Sequence, residues 1–155
     1  VTVLGLPTEA FIAMQITGIA GFILASNLTH FGVSRFGASK AIVAGTMLQI
    51  IGSILLLAYG LAGGRDPVLL VACFVPINIG LGLRAPPGFY LALEAAGKDE
   101  ARGSALVLLA MFGSTALGAA ASAPLLSFGL APLATISLVT SVLALIAFIA
   151  LHDRA

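Results

Sequence analysis

The sequence predicts an all-α membrane protein with five transmembrane helices, and two observations carry this prediction. Of the 155 residues, 60% are hydrophobic and only 8% are charged, whereas a soluble domain carries roughly 25% charged residues. A soluble fold of this size would lack the polar surface to cover itself. The apolar residues also form five runs long enough to cross a bilayer, which takes roughly 20 residues each. The net charge of +1 does not indicate nucleic-acid binding. The apolar composition and the five long runs instead make the lipid bilayer the expected partner.

The five runs give the spans in chain order. Glu9 suits the first turn of the first helix, where the helix dipole favours negative charge. Pro67 suits the first turn of the third helix, where no amide hydrogen is needed. We expect one continuous bundle, with tight turns at 63–66 and 128–131 and longer links at 30–38 and 94–102. The predicted spans cover residues 9–29, 39–62, 67–93, 103–127 and 132–151.

Basic residues in the links predict the orientation of the chain, because Lys and Arg collect on the cytoplasmic side of membrane proteins. The opposite side of the predicted bundle offers only Arg65. We therefore expect a multi-pass membrane protein, with the N-terminal end of this chain outside and its C-terminus in the cytoplasm; that the membrane is the inner cell membrane is implied only by the family resemblance given below. The basic residues on the predicted cytoplasmic side are Arg35, Lys40, Lys98, Arg102 and Arg154.

Small residues recur at helical spacing within the spans, which allows membrane helices to pack closely. On the second span, Gly45, Gln49 and Gly52 share one face. A buried amide needs hydrogen-bond partners. Gln49 is therefore either part of an interhelical hydrogen bond or a residue that lines a cavity and contacts a substrate.

The third span is irregular. Residues 67–94 would extend roughly 40 Å as a helix, whereas the hydrocarbon core is roughly 30 Å thick, so this helix must tilt, bend or protrude. Pro86 and Pro87 lack amide hydrogens, and we expect the carbonyls of Gly82 and Leu83 to be released. Gly82, Pro86 and Pro87 together predict a hinge.

Arg84 lies in the same stretch, a few residues to the cytoplasmic side of the middle of the span. A charge there costs a few kcal/mol, and two interpretations remain open. In one, Arg84 faces a polar cavity and attracts an anionic or hydrogen-bonding substrate group, or an acid on a helix outside this chain. In the other, Arg84 donates to the released carbonyls and extends towards the interface. Asn78 is a further candidate for substrate binding, but it lies about 240° around an ideal helix from Arg84.

The sequence contains no metal-ligand cluster, phosphate-binding loop or pairing of a nucleophile with a base. These are the features from which an active site is recognised. We therefore predict that the chain is not an enzyme and needs no metal and no cofactor.

The link between the first two spans resembles the loop motif of the major facilitator superfamily. In that family the loop joins the second and third helices of each half on the cytoplasmic side. Arg35, Gly37 and Lys40 match the motif, whereas His30 and Ser34 stand where it has glycine and aspartate.

The third and fourth spans extend the resemblance. The stretch from Gly80 to Pro86 and the opening Gly103-Ser-Ala are similar to the tenth and eleventh helices of the Bcr/CflA-like drug:proton antiporters. Arg84 and Pro87 depart from that family, whose members typically have an uncharged residue and often asparagine at these positions.

The resemblance implies that the five spans are helices eight to twelve of a twelve-helix major facilitator fold. It implies a proton-coupled efflux antiporter that confers drug resistance by alternating access, with a small-molecule substrate and protons as partners. The missing N-terminal half would be a further partner and would contain the carboxylates that couple protons. As a hypothesis, spans one, three and four line the substrate cavity. The alternatives are another branch of the superfamily that transports sugars or metabolites, or a membrane bundle that serves anchoring or assembly without transport.

Overall fold

The computed structural model describes residues 8–97 and 99–152, and helices account for nearly all of this part of the chain. Five of the helices are long and apolar enough to cross a membrane, which confirms the predicted all-α class and the five spans. A 3₁₀-helix, Ala123–Phe128, joins the last two. The five α-helices are α1 (Thr8–Phe36), α2 (Ala38–Leu61), α3 (Pro67–Ala96), α4 (Glu100–Ser122) and α5 (Leu130–His152).

The prediction of a long link at residues 30–38 is wrong. Helix α1 continues to Phe36, and Gly37 alone separates it from α2. The prediction placed the end of the helix where the apolar run ends, but backbone hydrogen bonds continue past that point. Gly37 stops the helix because its φ of 89° lies in a region that residues with a side chain rarely adopt.

The second long link is also shorter than predicted. Helix α3 ends at Ala96 and α4 begins at Glu100. The carboxylate of Asp99 accepts a hydrogen bond from the backbone amide of Arg102 at 3.4 Å and so caps α4. Lys98 and Arg154, which contributed to the predicted orientation, lie outside the described residues.

The fourth span differs from the prediction at its end. The α-helix stops at Ser122, and the 3₁₀-helix follows where α-helix was expected to 127. Pro124 has no amide hydrogen to continue the α-helical bonds, and it lies in the first turn of the 3₁₀-helix, where an amide hydrogen has no partner within the helix.

Helix α3 lies at the centre of the bundle, packed between α1 and α2. Helix α5 packs against α2, and α4 packs mainly against α3. A hydrogen bond of 2.8 Å between the hydroxyls of Ser53 and Ser137 joins α2 to α5. A small apolar core of Leu56, Leu70 and Ala134 fills the junction of α2, α3 and α5.

Glycines allow α3 to approach both neighbours closely. A Cβ atom on Gly80 would collide with the carbonyl oxygen of Gly45 on α2. A Cβ atom on Gly82 would lie 2.5 Å from the carbonyl oxygen of Phe22 on α1. Residues two apart on a helix point about 200° apart, so the two glycines serve opposite faces of α3.

The outer surface of the bundle is apolar. Leu109 and Phe112 on α4, for example, are 69% and 72% exposed. Large apolar side chains at such exposure fit hydrocarbon surroundings rather than water. The expectation of a lipid bilayer around the chain is therefore supported by the fold.

Candidate functional site

A cavity of about 710 Å³ lies around Arg84, bounded by α2, α3, α4 and α5. Among its described lining residues, Arg84 alone is charged. Helix α1 contributes no residue to the described lining of this cavity, whereas α3 and α4 do. The hypothesis that spans one, three and four line a substrate cavity stays a prediction. The apolar side chains of the wall around Arg84 include Ile42, Leu81, Phe89, Val107, Met111 and Phe148.

Packing explains why the cavity lies where it does. Helix α4 packs against α3 and α5 packs against α2, while α4 and α5 contact each other little. The first half of α4 and the second half of α5 therefore leave a gap over α3. The α2 side is closed, because Ile42 and Thr46 are buried. The backbones of α2 and α3 also lie so close at Gly45 that a Cβ atom there would be 2.6 Å from the carbonyl oxygen of Gly80.

Arg84 is partly buried. Among the residues whose side chains the structure describes, it forms no ion pair and donates no hydrogen bond to a carbonyl. The interpretation in which Arg84 donates to the carbonyls of Gly82 and Leu83 is therefore not what the structure shows. Arg84 does line the cavity, and its role as a residue that attracts a substrate group stays a prediction.

The Gly82 carbonyl finds a different donor. The hydroxyl of Thr29 on α1 lies 3.2 Å from this oxygen and 2.7 Å from the carbonyl of Ala25 in its own helix. Thr29 is only 2% exposed, so the contact is sheltered from water. A hydroxyl has one hydrogen to donate, so Thr29 shares it between the Ala25 carbonyl and, at the longer distance, the Gly82 carbonyl that Pro86 releases. Sequence reasoning missed Thr29 because nothing local marks its partner.

Helix α3 is α-helical through Pro86 and Pro87. The irregular backbone that the two prolines suggested is absent from the described helix, although both prolines lie inside it. Gly82 is buried against α1, which gives this glycine a packing role. The hinge at Gly82, Pro86 and Pro87 stays a prediction.

The three predicted substrate-binding residues do not share one cavity. The side chain of Asn78 lies against Gly18 of α1 and donates a hydrogen bond of 3.0 Å to the Phe74 carbonyl. Gln49 packs against Gly80 at the contact of α2 with α3, where its side-chain oxygen is buried and has no described hydrogen-bond partner. Only Arg84 lines the large cavity, and the binding roles of Asn78 and Gln49 stay predictions.

The residues of the loop motif lie together at the junction of α1 and α2. The guanidinium of Arg35 lies 5.6 Å from the centre of the Phe36 ring, within the range of a cation–π contact. Gly37 makes the turn, and Lys40 lines a smaller cavity of about 330 Å³ between the two helices. The motif residues therefore surround a one-residue turn rather than an extended loop.

Metal binding has no support in the part of the chain that the structure describes, where no group of three or more His, Cys, Asp or Glu side chains could hold an ion.

The fold and the cavity together define the class: a bundle of five apolar helices suited to a multi-pass membrane protein, with one charged side chain among the described residues that line an open cavity between helices. No family model, curated protein or solved structure matches the chain.

Proposed function

We propose that this chain is the C-terminal part of a proton-coupled major facilitator transporter that exports small molecules by alternating access. The observation that carries the proposal is the cavity around Arg84. Charged residues within membrane spans are rare and usually mark a substrate or ion pathway. A volume of about 710 Å³ lies within the range of cavities that hold small molecules.

The packing of α3 supports the same proposal. In secondary transporters, binding sites lie between helices near the middle of the membrane, and one group of helices rocks against another. Helix α3 contacts α1 and α2 through glycines, which give flat surfaces between backbones. Transport by such a machine requires both halves, so the isolated chain is expected not to transport.

A non-transporting bundle for anchoring or assembly is the alternative from another class. Such a bundle has no need of a charge on a cavity within its spans, and insertion of that charge costs a few kcal/mol. A sugar or metabolite transporter of another branch would share the same fold, so the choice between these transporters depends on the substrates that are moved.

Transport by the full-length protein tests the proposal. The protein is reconstituted in liposomes with an imposed pH gradient, and movement of ethidium, chloramphenicol and anilinonaphthalene sulfonate is followed. We expect gradient-dependent movement of at least one compound. No movement of any compound, with a correctly folded protein, would favour the anchoring alternative.

The variant Arg84→Ala tests the site within that assay. Loss of a charge-assisted hydrogen bond lowers affinity roughly ten-fold or more, so we expect the rate at low substrate concentration to fall by about that factor. Arg65→Ala, which removes an exposed arginine from a turn, is the matched control and should transport normally. Unchanged affinity and rate in Arg84→Ala would remove Arg84 from the site.

A further inference from the structure

We infer that the Arg84 cavity binds an anionic amphiphile, with one singly charged acidic head group and an apolar body. As a transported substrate this molecule rests on the proposed function, whereas its binding at the site does not. The inference follows from the charge, the hydrogen-bond donors and the walls of the cavity, taken in that order.

The charge of the cavity selects the sign and the number of charges on the ligand. Arg84 is positive and has no ion-pair partner among the described side chains. A cationic ligand would be repelled by this charge. A dianion would leave a second charge without compensation, which is costly away from water. One negative charge matches the single arginine.

The available donors select the kind of head group. Thr46 is the other polar side chain on the described wall, but its hydroxyl hydrogen is engaged with the Ile42 carbonyl at 2.8 Å. The guanidinium is therefore the group left to donate. Its planar array of N–H groups matches the two oxygens of a carboxylate, so an acidic head that only accepts hydrogen bonds fits best.

The walls select the body of the ligand. Phe89 on α3, Met111 on α4 and Phe148 on α5 surround the space beside Arg84 with apolar surface. The outer surface of the bundle is apolar, with large exposed side chains on both α4 and α5, such as Leu108 and Ile146. An apolar chain can therefore pass into the cavity from an apolar phase while its head group stays at Arg84. A sugar, with hydroxyls in every direction, would find too few partners in this cavity.

Photolabelling of the full-length protein in phosphatidylcholine nanodiscs tests the inference. Two probes of equal length are compared: a decanoate and a decanol, each with a diazirine group in its chain. Labelled peptides are identified by mass spectrometry. We expect the carboxylate probe to label the segments around Met111 and Phe148 about ten-fold more efficiently than the alcohol, the factor of one charge-assisted hydrogen bond.

Two variants distinguish the effect of the Arg84 charge from the effect of the cavity volume. Arg84→Gln should reduce labelling of these segments by the carboxylate about ten-fold and leave labelling by the alcohol within two-fold. Ala144→Phe, which fills the cavity without a change of charge, should reduce labelling by both probes. Equal labelling by the two probes in the unmodified protein overturns the inference without recourse to any variant, and so does unchanged carboxylate labelling in Arg84→Gln.

Further measurements distinguish a lipid anion from an anion in solution, and test the anion site independently of the proposed transport function. Phosphatidylglycerol added to the nanodiscs should suppress carboxylate labelling if a membrane lipid is the natural occupant, and should leave it unchanged if the anion comes from solution; both outcomes support an anion site. Carboxylate labelling that depends on Arg84, without transport of any compound, would leave the site standing and remove the transporter. Transport of ethidium or chloramphenicol, without such labelling, would support the transporter and remove the anion site.

Discussion

Gly80 allows α2 and α3 to pack closely because it has no side chain. The atoms nearest to a Cβ at this position are the backbone oxygen of Gly45 and the backbone nitrogen of Gln49, the latter at 2.8 Å. Backbone atoms in a packed helix cannot move aside as the end of a flexible side chain can. Close approach of α2 and α3 therefore depends on this one residue more than on the apolar side chains around it.

We expect Gly80→Ala to destabilise the bundle. The collision with α2 costs about 1–3 kcal/mol by overpacking, which outweighs a gain of about 1 kcal/mol from the better helix propensity of alanine. Gly88→Ala is the matched control on the same helix, because a Cβ there meets nothing within 4 Å, and it should be neutral or stabilising. Melting temperatures of both variants in detergent check this; equal shifts would show that helix propensity alone decides.

Thr29 offers a second test at this scale. Thr29→Val keeps the shape of the side chain but removes the donor from the Gly82 carbonyl, and we expect it to lower the free energy of unfolding by about 1 kcal/mol. Thr115→Val is the control, since the Thr115 hydroxyl is exposed and bonds only within its own helix. Unfolding in sodium dodecyl sulfate measures both.

A double variant shows whether Pro86 is the reason that Thr29 matters. Pro86→Ala restores an amide hydrogen for the Gly82 carbonyl, so Thr29→Val should be less destabilising in this background than alone. Strict additivity of the two changes would mean that Thr29 and Pro86 act independently.

Among the elements, α3 depends most on its neighbours. It contains Pro76, Pro86 and Pro87 and still runs as one helix from Pro67 to Ala96. The carboxylate of Asp66 caps the start of α3 by accepting a hydrogen bond of 2.8 Å from the backbone amide of Val68. Close packing against α1 and α2 holds the proline-rich half of the helix. Membrane helices tolerate prolines where neighbouring helices supply the missing hydrogen bonds, and Thr29 does so here.

The turn between α1 and α2 is an element-scale prediction. Gly37 has φ 89° and ψ 158°, a region occupied almost only by glycine, and another residue there costs about 1–3 kcal/mol. We therefore expect Gly37→Ala to destabilise the α1–α2 pair. Gly32→Ala, inside α1 with nothing within 4 Å of a new Cβ, should not. Resistance to proteolysis at the turn distinguishes them, and a fully resistant Gly37→Ala would refute the argument from backbone conformation.

At the scale of the whole molecule, α4 is the least integrated helix. None of the residues in its most apolar segment is buried, whereas α3 contacts three other helices. An apolar helix so exposed is covered by lipid or by another part of a larger protein. The proposed N-terminal half would supply such a cover.

Orientation is also a property of the whole molecule, and it can be measured. In a background of the full-length protein from which every cysteine, including Cys73, has been removed, Arg65→Cys should react with a membrane-impermeant maleimide in intact cells. Arg102→Cys should react only after permeabilisation, because basic links remain in the cytoplasm. The reverse pattern would place the Arg102 link outside and overturn the predicted orientation.

The sequence by itself determined the class of the fold and the number of spans. Continuous apolar runs of this length fit transmembrane helices, in which every backbone polar group is satisfied within the helix itself. Arg84 could be singled out for the same reason, since a charge in such a run is conspicuous. The ends of helices were predicted less well, because hydropathy follows the membrane whereas a helix ends where its hydrogen bonds do, as at Gly37.

Only the tertiary structure decided which residues meet. Arg84, Asn78 and Gln49 look equivalent as polar residues in apolar spans, yet one lines a cavity and the other two lie in helix contacts. Their separation depends on how each helix is rotated, and in membranes that rotation is set by close packing of small residues. The donor that Thr29 offers to Gly82 bridges 53 positions in the chain, a distance across which no local pattern can specify a partner.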